Sequence, residues 1–483
     1  MLKEILNLTA LQLGQAIRDG EVSIPEVTRL ALDAAQQDSR NSFITLNPEQ
    51  AMLRAEGLQQ HVKDAESPLY GVPTALKDNI CTRGVRTTCG SKMLGNFIPP
   101  YSASVTELLA EAGTVSIGKT NMDEFAMGCT GETSFFGLVK NPWNEKHTPG
   151  GSSSGSAAAV AAGIVPFALG SDTGGSVRQP AAHCGLTGIK PTYGTVSRYG
   201  LIAHASSLDQ IGPLCKDAAD CAAVLDAIQM YDRRDSTCLP GAYGSLLNGL
   251  TGDLRGLKIG LPVECLGNGL DAEIHGALLT AAEVLCSRGA VVKECSLPTL
   301  PYFVPTYYVL ACAEASSNLA RYDGVKYGFR AQKYTDLNQL YSKTRSEGFG
   351  SEVRRRILLG TFVLSAGYYD AYYKKALQAQ AIIREAYQNA FKDFDLLLTP
   401  VTPTAAPKLH QSADPLQQYL GDVYTAGVNL AGLPALSMPC GFDAKGLPMG
   451  AQLIGPRFGE AVILNAAHAF QLETDFHKRR CPA

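Results

Sequence analysis

The chain has 483 residues, 45% of them hydrophobic and 18% charged, with a net charge of −3. That length holds one large domain or two to three ordinary ones, and the composition is that of a well-buried globular protein. The near-balanced charge argues against gripping a phosphate backbone over a broad basic face. No run of about 20 apolar residues predicts a membrane-spanning helix, so no membrane association is expected.

Residues 1–8 lack the apolar core of a signal peptide. The 13 cysteines are odd in number and form no CxxC pairs, which fits a reducing cytoplasmic setting better than a disulfide scaffold. The eight histidines show no HExxH or similar spacing, so no metal is expected.

Residues 1–60 read as helices, with Leu6, Leu8, Leu11, Leu13 and Ile17 on a partly helical stripe and Pro25 opening a second helix. Residues 61–220 alternate short β-like runs (114–117, 165–169) with helical ones (105–112, 154–162), dense in glycine and serine. Residues 221–483 continue with strands at 257–262, 291–295, 394–401 and 449–454, a helix over 271–288 and long tyrosine-rich helices over 350–393. The alternation predicts an α/β fold. With no repeat and no low-complexity linker, 1–483 reads as a single domain.

Two motifs match letter patterns without their structural context. Residues 113–120 spell GxxxxGK[ST], but a helix precedes the first glycine and β-formers fill the middle, the reverse of a P-loop. Gly151-Ser152-Ser153-Ser154-Gly155 spells GxSxG, but a loop-like stretch leads into it where a nucleophile elbow needs a strand.

Three segments carry candidate chemistry. Lys77 follows the apolar run 72–76; from its position alone, a snorkelling surface lysine is the more ordinary reading. Ser152, Ser153, Ser154 and Ser156 precede an alanine run ending at Gly163. Capping accounts for one or two of these serines, not four. Asp172-Thr173-Gly174-Gly175-Ser176 puts two glycines where N–H groups can converge on an oxyanion.

Together, 150–163, 172–182 and 188–200 resemble the signature of the amidase signature family. The resemblance implies a central mixed β-sheet covered by helices on both faces. It also implies Ser176 as nucleophile, Ser152 as bridging serine, Lys77 as base, and Thr173, Gly174 and Gly175 around the oxyanion. Lysine serves as a base only when neutral, so its pKa must fall from about 10.4 toward neutrality, as burial can achieve.

Residues 348–376, 419–441 and 474–478 are similar to the A subunits of glutamyl-tRNA(Gln) amidotransferases. That likeness implies a glutaminase. Asp422 and either Arg355 or Arg356 would hold the α-ammonium and α-carboxylate of glutamine, and Thr130 and Gly131 would line the pocket. It implies no cofactor in this chain. ATP and Mg would act at a B subunit, a C subunit would complete a heterotrimer, and ammonia would amidate a misacylated glutamyl (or aspartyl) tRNA. Ordinary surface charge remains an alternative for the arginines, and a stand-alone amidase for another carboxamide is the alternative function. The 129–134 stretch departs from the commoner serine- and asparagine-containing form.

Overall fold

The computed structural model describes residues 5–241, 243–267, 269–411 and 415–482. Its frame is β1 (Phe43–Leu46), β2 (Pro73–Lys77), β3 (Val115–Thr120), β4 (Phe167–Asp172), β5 (Thr187–Lys190), β6 (Gln210–Cys215), β7 (Lys258–Pro262), β8 (Val291–Cys295), β9 (Leu396–Pro400), β10 (Ala435–Phe442) and β11 (Pro448–Ile454). All eleven join one sheet in the order β1-β3-β2-β4-β6-β5-β10-β11-β9-β7-β8. β2 pairs parallel with β3 and β4, and β7 with β8 and β9; the remaining pairs are antiparallel. The fold is the mixed α/β architecture expected.

Strands β2, β4, β5, β6, β9 and β11 are buried along their whole length. Such strands are covered on both faces and read as continuous apolar or small-residue runs rather than alternating ones. That is why β2 passes in sequence as a mere apolar lead-in to Lys77, and why β6 gives no period-2 signal.

The N-terminal region is helical at Ala10–Arg18, Ile24–Gln36 and Pro48–Gln59, with β1 set among the helices. Thr9 and Gln12 form a capping box on the first helix, and buried Asp220 accepts the N–H groups of Ala10 and Leu11, anchoring it to the sheet's covering layer. The GxxxxGK[ST] stretch contains β3, not a loop. Lys119 is buried and its ammonium donates to Ile80 O and Thr87 Oγ1. A strand with its lysine so occupied offers no phosphate cradle.

Candidate active site

Because β2 and β4 are parallel neighbours, with Leu76 opposite Leu169, their C-terminal ends reach the same edge of the sheet. There Lys77 ends β2, and the 173–176 turn leaves β4 for the helix Arg178–Cys184. Between them lies the N-terminal end of the helix Ser154–Ala161, preceded by Ser152, whose bond to Gly151 is cis. Gly155 lets this helix sit directly on the chain, since a Cβ there would stand 2.5 Å from both N and O of Asn121.

Lys77 is 0% exposed, which overturns the snorkelling reading. Its Nζ donates to Ser152 Oγ at 2.7 Å, to Ser153 Oγ at 2.9 Å and to Ser171 O at 3.1 Å. Burial lowers its pKa to about 7, against the opposing pull of Asp123, Asp172 and Asp209. Removal from water disfavours the ammonium more strongly than these carboxylates restore it. Ser176 is 8% exposed, and its hydroxyl has no partner among the described residues. Its carbonyl accepts Ser153 N–H at 3.3 Å. Lys77 and Ser152 are thus joined directly, while Ser176 is held beside them through its backbone.

The turn between β4 and Ser176 is organised by Asp172. Burial opposes its ionisation, but the Arg178 charge and hydrogen bonds hold its carboxyl well below the usual range. Asp172 Oδ1 accepts Gly175 N–H at 2.8 Å and Oδ2 accepts Val177 N–H at 3.1 Å. Gly175 N–H is therefore already committed, whereas the N–H groups of Thr173, Gly174 and Ser176 have no partner among the described residues. Gly175 has φ 141°, and a Cβ on it would run into the Thr425 side chain, 2.9 Å from that residue's own Cβ.

The other expected residues gather further out. The helix Ser351–Val363 exposes Arg354 and Arg355 and buries Arg356, which is 3% exposed. Arg355 pairs with Glu352 from the exposed face. Arg356 Nε donates to Glu352 Oε1 at 2.8 Å, and its two Nη groups have no partner among the described residues. Its guanidinium lies 5.0 Å from the Tyr308 ring and 5.6 Å from the Tyr419 ring, and these two rings stack at 3.9 Å. Tyr308 OH donates to Asp422 Oδ2 at 2.8 Å, and burial raises Asp422 to about 7. Cys129, buried, donates to Gln418 O at 3.4 Å. Thr130 O accepts from Thr148, and Gly131 N–H donates to Asp123 Oδ2 at 3.0 Å.

A cavity of 540 Å³ shares Cys129, Thr130, Gln179 and Gly421 with this region, but Lys77, Ser152 and Ser176 are not in its walls. Sequence reasoning missed Ser153 as a second acceptor for Lys77. It also missed Asp123, Glu352, Tyr308 and Tyr419. Ser153 sits in the serine run that capping left unexplained, and Glu352 stands three and four residues before Arg355 and Arg356 on one helix; nothing local marks Asp123, Tyr308 or Tyr419. Among the described residues no group of three His, Cys, Asp or Glu is placed to hold a metal ion.

Residues 26–464 match the Amidase family. The A subunit of glutamyl-tRNA(Gln) amidotransferase from Agathobacter rectalis is 56% identical over 97% of this chain and 94% of its own length. The protein of the same name from Neisseria meningitidis is 51% identical over 98% and 99%. Among solved structures, the A subunit of glutamyl-tRNA(Gln) amidotransferase from Thermotoga maritima superposes with a TM-score of 0.80 at 39% identity, covering 97% of this chain and 95% of that one. With the fold, the motifs and near-full-length relatives in agreement, the chain belongs to the amidase family, among the glutamyl-tRNA(Gln) amidotransferase A subunits.

Proposed function

We propose that this chain is the glutaminase subunit of a tRNA-dependent amidotransferase. The observation that carries the chemistry is the buried Lys77 amine, 2.7 Å from Ser152 Oγ and lowered to about 7. A neutral amine there accepts the Ser152 proton as Ser152 takes that of Ser176. Ser176 Oγ attacks the carboxamide carbon. The unpartnered amides of the 173–176 turn hold the tetrahedral oxyanion. Ser152 gives a proton to the nitrogen and regains one from the Lys77 ammonium, the C–N bond breaks, ammonia leaves and the lysine is neutral again. Water then hydrolyses the acyl ester on Ser176 to give glutamate, with the lysine again as base.

The Arg356–Asp422 pair favours glutamine over an uncharged amide, since the free Nη edge matches an α-carboxylate and Asp422 an α-ammonium. Thr130 and Gly131 stand on the loop beside that pair. The relatives' names support partner subunits. In this reading a B subunit uses ATP and Mg to activate the misacylated tRNA, receives the ammonia and, with a C subunit, completes a cytoplasmic heterotrimer. The single sheet uniting all eleven strands supports one domain over 1–483.

Ammonia release from glutamine by the assembled protein tests the reading. Ser176→Ala is expected to lower kcat by at least about a thousandfold with glutamine still bound. Hydrolysis surviving at the wild-type rate would exclude Ser176 as nucleophile.

A further inference from the structure

Asp123 and Glu124 are neighbours in sequence but are wired into different parts of the site. Asp123 accepts the N–H groups of Gly131 at 3.0 Å and Thr133 at 3.1 Å, and its own N–H donates to Ser152 O at 3.2 Å. Glu124 turns the other way. One oxygen accepts from Ser91 Oγ and the other accepts Gly350 N–H at 2.8 Å. Gly350 is the N-cap of the helix that carries Glu352 and Arg356, and it has no side chain with which to cap it.

Phe125 and Ala126, at φ 49° and 60°, hold left-handed conformations uncommon for residues with a Cβ. The Phe125 ring packs edge-on to Phe349 at 5.7 Å, so an apolar contact joins the same two segments beside the hydrogen bond. Glu124 is 2% exposed, and no step of the reaction above uses it. A buried carboxylate needs partners, and both of its partners lie outside its own loop.

We infer that Glu124 is a positioning residue that locks the first turn of the Arg356 helix to the 123–131 segment, and so sets the distance between the carboxylate anchor and the reacting serine. A carboxylate at that end of a helix satisfies an otherwise orphaned N–H and complements the helix dipole. The register of Arg356, six residues on, follows from where Gly350 is held. The inference rests on Arg356 being the carboxylate anchor.

The test compares kcat/KM for glutamine with that for 4-aminobutanamide, which keeps the carboxamide and the ammonium but lacks the α-carboxylate, on the full chain in its native assembly. Glu124→Ala is expected to lower the glutamine-to-4-aminobutanamide ratio roughly tenfold, through the glutamine KM. Glu124→Gln should restore most of it, because an amide oxygen can still accept Gly350 N–H while its NH2 donates to Ser91. If Glu124→Ala does not fold, Ser91→Ala, which removes the carboxylate's other partner, should lower the same ratio about threefold. A ratio unchanged in these variants, or both substrates falling in parallel, would overturn the positioning role. Arg356→Ala run alongside separates the two ideas. If it leaves the ratio unchanged, the carboxylate-anchor reading fails, and this role for Glu124 fails with it.

Discussion

At the scale of single residues, two buried groups share a titration near neutrality for opposite reasons. Lys77 comes down to about 7 because burial disfavours its ammonium, and Asp422 goes up to about 7 because burial disfavours its carboxylate. In the proposed reaction the active forms are the neutral lysine and the ionised aspartate, so both are lost as pH falls through about 7. Glutamine kcat, which reports the bound complex, should rise with pH as Lys77 deprotonates. The glutamine KM should fall over the same range as Asp422 ionises to receive the ammonium. kcat/KM should therefore steepen below neutrality to a slope of about two on a logarithmic plot. Asp422→Asn should shrink the KM limb to what Glu124, raised by burial to about 7, contributes and leave the kcat limb in place; a pH–rate profile of the two proteins checks both halves. A single-slope wild-type profile would show that one of these groups does not titrate in the working range.

At the scale of elements, the proposed chemistry draws on three short pieces that run to one edge of the sheet: the end of β2, the start of the Ser154–Ala161 helix and the turn after β4. The turn is the most constrained of them. Asp172 accepts the N–H groups of Gly175 and Val177, and Thr425 Oγ1 donates to Gly174 O at 2.6 Å. Gly175→Ala forces a Cβ into Thr425 at a φ that L residues rarely adopt. It should destabilise the fold by about 1–3 kcal/mol and cut glutamine turnover, with KM less affected, because the shift falls on the amides proposed to hold the oxyanion. Denaturant unfolding together with steady-state kinetics reads both effects.

At the scale of the whole molecule, the Asp172–Arg178 pair links distant parts of the chain. Arg178 is fully buried and donates to Asp172, to Thr425 O at 3.2 Å and to Gln452 Oε1 at 2.6 Å, while Asn429 donates to Asp172 Oδ1 at 2.9 Å. One guanidinium thus ties β4 to β11 and to the segment that bears Asp422. Arg178→Met would strand a buried carboxylate, and it should lower stability by about 3–5 kcal/mol, visible as a large drop in melting temperature. An unchanged melting temperature would mean that Asp172 finds protons or water in place of Arg178.

The sequence alone determined the family, the α/β class and the local turns. The serine run and the 172–176 stretch are contiguous, and a contiguous motif encodes its own backbone. It also marked both P-loop and elbow patterns as out of context, and β3 and the loop before Ser152 agree. Only the tertiary structure decided that Lys77 is buried rather than snorkelling, since its burial comes from β3 and β4 on either side of β2 and from serines 75 and 76 residues away. It likewise separated Arg356 from Arg355, because which face of a helix is buried depends on what packs against it. Here Tyr308, Tyr419 and Asp422 arrive from elsewhere in the chain, and no local pattern announces their approach.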